Sequence, residues 1–448
     1  MLLFMIVYAG WLADLKQVSV RKPAQRGSPV SAKTEKQKRR AIVIVIDGCG
    51  VGAAPDAESF GDSRQCNTIG NIANRLGPLS LPNLAQLGLG KVCQESGLTG
   101  QTRDKALFGK LQESSNGKDT QTGHWEMMGV INNDPFPYYP EGFPDEIINA
   151  FVEQTGVTGI LCNQPASGTE ILAQLGEEHQ NTGKPIVYTS GDSVFQIACH
   201  VDTIPLEKQY EYCQIARRIL DGPHRVGRVI CRPFGGPRGK YERLSGDRRD
   251  YAIPPPAKTF LDQLTASGIG VFGIGKIEDI FVGLGLTHAK HTGSNKEGLE
   301  ITLAAVRNEY PLETTRINKS KSDEIGLIFT NLVDTDSLYG HRRNVEGYKA
   351  ALVEIDSWLG KIIESLKPED LLIISSDHGN DPTAPGTDHT REFVPLLAYS
   401  PSFSTEQNDI GTRKSFCDIA ASLSDWLSVD WQGPGQSFVS LKSSAQVN

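Results

Sequence analysis

Cysteine pairs at metal-finger spacing are missing from this 448-residue chain. Its eight cysteines (Cys49, Cys66, Cys93, Cys162, Cys199, Cys213, Cys231 and Cys417) are scattered, with no C-x-x-C among them. That excludes a thiolate zinc cluster, argues against a disulfide framework, and suits a reduced, cytoplasmic protein. An excess of positive charge is missing as well. Lys and Arg number 45 against 53 Asp and Glu, a formal net charge of −8. With a pI near 5.7, a general nucleic-acid binder is excluded, and an anionic ligand would need a local basic pocket. Long apolar runs are scarce. The opening "MLLFMIVYAGWLADL" has no basic residues ahead of it and is cut short by Asp14 and Lys16. It is too short to span a bilayer as a helix and suits a secretory signal poorly. Residues 16–40 are polar and basic, so residues 1–38 are expected to be a disordered extension, or the product of a mis-assigned start, with the fold beginning near Arg39.

What remains is an ordinary globular composition, 38% hydrophobic and 22% charged, with a mean hydropathy of −0.29. The length favours two domains. Short β-branched runs end in polar residues: "AIVIVID" (41–47), "IVYTSGD" (186–192), "GVFGIGK" (270–276), "GLIFTNLVDTD" (326–336) and "LLIISSDHG" (371–379). Alternating with helical patterns, they predict an α/β fold with a mostly parallel sheet flanked by helices. Residues 344–366 carry apolar positions at helical spacing, with Asn344 a possible N-cap. Residues 136–254 read differently, with many prolines, short pieces and a basic stretch. They predict an inserted smaller α/β cap domain between core segments 39–135 and 255–448. No internal repeats are present.

The glycine-rich turn "DGCGVGAA" after the first strand spells a dinucleotide fingerprint. Asp47 would face a pyrophosphate there, however, and Pro55, Asp56 and Gly61 interrupt the expected helix. The other reading makes Asp47 a metal ligand. Three of the nine histidines lie close together near the C-terminus, each beside carboxylates, in "DTDSLYGHRR" (334–343), "SDHGND" (376–381) and "GTDHTRE" (386–392). One Asp-His pair is usually just a capped turn. Three, with Asp47 at another strand end, supply O and N ligands for two divalent ions such as Mn²⁺ or Zn²⁺. The segment "GKDTQTGHWEMMG" (117–129) offers Thr120 and Thr122 as nucleophiles that a metal would activate.

These segments, together with "NTIGNIA", "PEGFP", "NQPASGTEIL", "VYTSGDSVFQIA", "GRVICRPF", "FGIGKIEDIF" and "SSDHGNDPTAPGTDHTREFVPLLAYSP", resemble the phosphopentomutases, metalloenzymes of the alkaline phosphatase superfamily. The likeness runs from about residue 40 to the C-terminus, with Gly48 standing where serine is expected and Asn344 where aspartate is common. It implies an alkaline-phosphatase-like core and makes Thr120 the phosphorylated residue. One ion would be held by Asp47, Asp377 and His378, the other by Asp336, His341 and His389, both typically Mn²⁺. The resemblance further implies that Asp192, Arg228 and Arg243 of the cap, with Lys276 of the core, bind substrate. Arginine's planar fork suits phosphate, whereas Arg248 and Arg249 read as solvated surface charges. The implied reaction interconverts ribose or 2-deoxyribose 1-phosphate and the 5-phosphate through a 1,5-bisphosphate. A bisphosphate such as glucose 1,6-bisphosphate would prime it. The partner is then a small pentose phosphate, with no nucleic acid and no membrane, and a monomer is expected. The alternatives are a metal-dependent phosphatase or a phosphoglycerate-mutase-like enzyme.

Overall fold

The strand that begins the fold is buried on both faces. In β1 (Arg40–Ile46), Ala41, Val43 and Val45 join one apolar cluster while Ile42, Ile44 and Ile46 join another. A run of β-branched residues with no polar face can settle only in the middle of a sheet covered on both sides. The computed structural model describes residues 38–190, 193–318, 324–403 and 408–439. Apart from its last residue, the expected N-terminal extension lies outside them, as does Asp192.

The strands that follow are β2 (Ala106–Leu111), β3 (Leu161–Pro165), β4 (Ile186–Thr189), β5 (Val194–His200), β6 (Arg228–Gly235), β7 (Glu242–Arg243) and β8 (Arg249–Ala252). After them come β9 (Gly270–Ile274), β10 (His288–Lys290), β11 (Ile325–Leu332), β12 (Asp370–Ser375), β13 (Val394–Tyr399) and β14 (Asp409–Arg413). Eight form one sheet in the order β10-β9-β11-β1-β12-β13-β2-β14. From β10 to β12 every neighbour is parallel; β13 then runs against both β12 and β2. This is the mostly parallel sheet that the β-branched runs predict, flanked by helices. On one face lies the helix Val345–Ser365, whose Val345, Tyr348, Leu352, Ile355, Leu359 and Ile362 recur every three or four residues and are buried. Asn344 caps it, accepting a hydrogen bond from the Gly347 N–H at 2.9 Å. The helix Asp418–Leu427 covers the other face, with Trp426 fully buried.

The remaining strands form a second sheet, β3-β4-β5-β6-β7, with β8 also paired to β6. The run at 186–192 therefore does not join the large sheet. Its β4 pairs parallel to β3 and antiparallel to β5. The two apolar clusters around this sheet draw only on residues between Tyr139 and Tyr251. Among the described residues, no helix is long and apolar enough to cross a membrane.

Candidate metal centre and nucleophile

Register decides where the acids go. Ile46 of β1 pairs with Leu332 of β11, and Val45 pairs with Ser375 of β12, so the three central strands end level. Asp47 is the next residue after β1. Asp336 lies in the turn just past β11, and Asp377 and His378 just past β12. In open α/β sheets that carboxyl edge is where ligands gather. His389 arrives from further along the chain and is held there by a reciprocal backbone pairing of Gly379 with Thr390 (3.1 and 2.8 Å). Gly48 (φ 75°) makes the tight exit from β1 that lets its N–H donate to Asp377 Oδ1 at 3.2 Å.

All six expected ligands meet at this edge. His389 Nε2 is 3.3 Å from Asp336 Oδ1, His341 Nε2 is 3.3 Å from Asp336 Oδ2, and the two imidazole nitrogens are 3.1 Å apart. Asp47, Asp336 and His378 form a second, overlapping group. His378 Nε2 lies 3.4 Å from Asp47 Oδ1 and 3.5 Å from Asp377 Oδ2. Three observations fit divalent cations. His341 Nδ1 donates to the Thr387 carbonyl at 2.6 Å and His378 Nδ1 to that of Gly379 at 3.0 Å, so each ring turns its Nε2 toward the acids. Asp47 Oδ1 and Asp377 Oδ2 are buried without a hydrogen-bond partner. Burial, with the charges of Asp377 and Asp336, pushes the Asp47 carboxyl up in pKa. Although both are buried, the Asp377 and Asp336 carboxyls are held down by neighbouring imidazoles, so Asp47 carries the crowding that a cation among them would relieve.

Thr120 opens the helix α1 (Thr120–Met127), and its Oγ1 lies 3.2 Å from His378 Nε2. Thr122, the other possible nucleophile, is fully buried. Its hydroxyl donates to Asp119 at 2.6 Å, and Asp119 caps the helix by also accepting from the Thr122 N–H at 3.0 Å. The geometry thus presents Thr120 and occupies Thr122. Gly123 sets the closeness of α1 to the ligands, since a side chain there would collide with the Asp377 backbone carbonyl.

A cleft of about 1190 Å³ opens over Thr120 and His389, with Lys276 on the large-sheet side and Arg228, Arg248 and Asp250 on the second-sheet side. Arg228 and Lys276, both expected to bind substrate, line this cleft. Arg243 is not among the lining residues. It lies on β7, where a side chain at Gly168 would run into its guanidinium. Arg248, expected to be a solvated surface charge, is exposed, and it also lines the cleft and binds Asp250 bidentately (2.7 and 2.6 Å). Arg228 reaches the same carboxylate at 3.7 Å. Arg249 also borders the cleft, although its guanidinium stacks 3.8 Å from the Tyr210 ring.

Several residues here escaped sequence reasoning. Arg391 is buried and donates to Glu113 (2.7 Å), Asp56 (2.9 Å) and the Gly117 carbonyl. It thereby ties the segment leading to Thr120 to the segment carrying His389. Glu126 accepts from the backbone of Ser114, Ser115 and Phe416. The one available signal was their place inside "GKDTQTGHWE" and "GTDHTRE".

A family model described as the metalloenzyme superfamily matches residues 39–430, which places this edge of acids and imidazoles in a known class. The phosphopentomutase of Carboxydothermus hydrogenoformans is 50% identical over 400 residues, covering 89% of this chain and 98% of that protein. Those of Symbiobacterium thermophilum (48%, covering 89% and 98%) and Caldanaerobacter subterraneus (49%, covering 90% and 97%) are similar. The chain belongs to the phosphopentomutase family.

Proposed function

We propose that this protein is a phosphopentomutase that interconverts α-D-ribose or 2-deoxyribose 1-phosphate and the corresponding 5-phosphate in the cytoplasm. The observation that carries the reading is the position of Thr120 Oγ1. It stands 3.2 Å from an imidazole of the acidic edge, at a helix N-terminus, on the floor of a cleft whose far wall carries arginines. Phosphothreonine 120 donates its phosphoryl group to the free sugar hydroxyl, giving a 1,5-bisphosphate. The sugar turns, and the other phosphate returns to Thr120. The N-terminus of α1 favours the phosphate's negative charge. Arg228, Arg248 and Lys276 grip the phosphate that is not reacting, and Asp192 joins them at the sugar. Residues 136–254 act as a cap that keeps water from the phosphothreonine while the bisphosphate reorients.

Asp47, Asp377 and His378 hold one divalent ion, and Asp336, His341 and His389 the other, both Mn²⁺. Bound there, the ions supply Lewis-acid stabilisation of the in-line oxygens. A bisphosphate such as glucose 1,6-bisphosphate primes Thr120. The test supplies ribose 1-phosphate, Mn²⁺ and primer, and follows ribose 5-phosphate and free phosphate together. Ribose 5-phosphate with little free phosphate is expected. Phosphate release matching sugar phosphate consumption would leave a metal-dependent phosphatase instead.

A further inference from the structure

One fully buried titratable group beside the nucleophile has no part in the reaction as drawn. His124 lies one turn after Thr120 on α1, with no exposed surface. Its Nδ1 is 2.8 Å from the Thr120 carbonyl oxygen and 3.3 Å from Asp377 Oδ2. Its Nε2 is 3.3 Å from the amide nitrogen of Asn331, which donates to Asp47 Oδ2 at 2.9 Å. The amide's orientation follows from chemistry, because turning it over would set its oxygen against the Asp47 carboxylate. The amide nitrogen carries two hydrogens, one for Asp47 and one for His124 Nε2. In that arrangement His124 Nε2 accepts from the amide and Nδ1 donates to the Thr120 carbonyl. The ring packs against Phe329, centroids 5.8 Å apart, and so cannot swing away freely.

We propose that His124 and Asn331 are a positioning pair that keeps the Thr120 hydroxyl in register with the ligand carboxylates Asp47 and Asp377. The inference rests on the phosphotransfer reading of this site. Asn331 belongs to β11, Asp47 follows β1, Asp377 follows β12, and Thr120 opens α1, so two side chains join four segments. The need for such a tie is physical. Thr120 is the first residue of an eight-residue helix, where backbone groups lack intrahelical partners. An ångström of drift between a nucleophile and the groups that activate it costs about 100-fold in rate.

The test compares His124→Phe, which keeps a ring of similar size, with His124→Asn, whose amide nitrogen takes the place of Nδ1. Thr120 phosphorylation by glucose 1,6-bisphosphate is timed by intact mass, Mn²⁺ affinity is measured by calorimetry, and kcat and KM are read for ribose 1-phosphate. His124→Phe should slow phosphorylation and kcat by about 10–100-fold and weaken Mn²⁺ binding about tenfold, the usual scale for groups behind a metal ligand. KM should stay within about twofold, and His124→Asn should recover most of the loss. If His124→Phe does not fold, Asn331→Leu decides with the same expected losses. Wild-type phosphorylation rate and Mn²⁺ affinity in a folded variant would overturn the pair, as would a raised KM with unchanged kcat. A wild type that neither takes up phosphate nor binds Mn²⁺ would overturn the functional reading, and the pair with it.

Discussion

The two walls of the cleft are built on opposite principles. On the large-sheet side Asp47, Asp377 and His378 are at most 1% exposed, and their partners are fixed by backbone register. On the second-sheet side Arg228 and Arg248 keep 27% and 38% of their side chains exposed and share one carboxylate, Asp250. Dry, crowded acids make a site that favours small cations. Half-wet arginines on a separate sheet can hold a phosphate and let it go. The difference teaches how one cleft can pair rigid chemistry with a loose grip.

The comparison breaks most completely on the rigid side. Thr120→Ala should lower mutase turnover by more than about 10⁴-fold, the scale at which losing a nucleophile acts. It should also abolish the phosphopeptide containing "DTQTGHWE" while leaving the fold and Mn²⁺ binding intact. A phosphate found on Thr122 would reassign the nucleophile. Excess chelator should stop wild-type turnover, and Mn²⁺ should restore it.

A second test asks whether the rigid side holds its acids under strain. Burial pushes the Glu392 carboxyl up to about 7 from an ordinary value of 4.5, although Thr390 and Thr68 donate to it. A folded-state pKa above the unfolded one gives stability that is present below about pH 4.5 and lost as pH rises through about 7. Metal-free wild type should therefore lose about 2 kcal/mol relative to Glu392→Gln between pH 5 and pH 8. Urea unfolding at both pH values measures it, and a constant difference would rule the shift out.

On the loose side the expected effects are smaller and fall on binding. Arg248→Ala should raise KM for ribose 1-phosphate about 10–100-fold, as expected for one charge-assisted contact, with metal content unchanged. Arg243→Ala should stay within about twofold of wild type. The opposite order would return the phosphate grip to β7. The smallest effect belongs to neither wall. Asn344→Ala should cost about 1 kcal/mol of stability in urea by uncapping the helix Val345–Ser365, and kcat should not move.

The acidic edge was legible because its residues sit at strand ends in short motifs. "VIVID" carries its acid directly after a buried run, and "SSDHG" and "DTDSLYGH" repeat that arrangement. The choice between Thr120 and Thr122 was not open to residue patterns alone. Both are threonines at a helix start, and what separates them is tertiary: Thr120 Oγ1 reaches His378, while Thr122 is buried and bonded to Asp119. The place of Arg248 at the cleft was hidden for a similar reason. In "ERLSGDRRD" the three arginines look alike, and only the packing of β7 and β8 puts Arg248 and Arg249 at the cleft and leaves Arg243 out of its lining. His124 and Asn331 carry no sequence signal of ligation, being an interior helix residue and an interior strand residue.

By itself the sequence determined which residues would be buried and which acids and imidazoles would end strands. Apolar periodicity and strand length are local properties, and water drives that sorting wherever the chain is placed. Only the tertiary structure decided which of those groups face one another. Distances of about 3 Å between Thr120, His378 and Asp47 depend on β1 and β12, 330 residues apart at Arg40 and Asp370, lying in one register. Electrostatic coupling falls off over a few ångströms, so it is fixed by packing and carries no trace in the order of the letters.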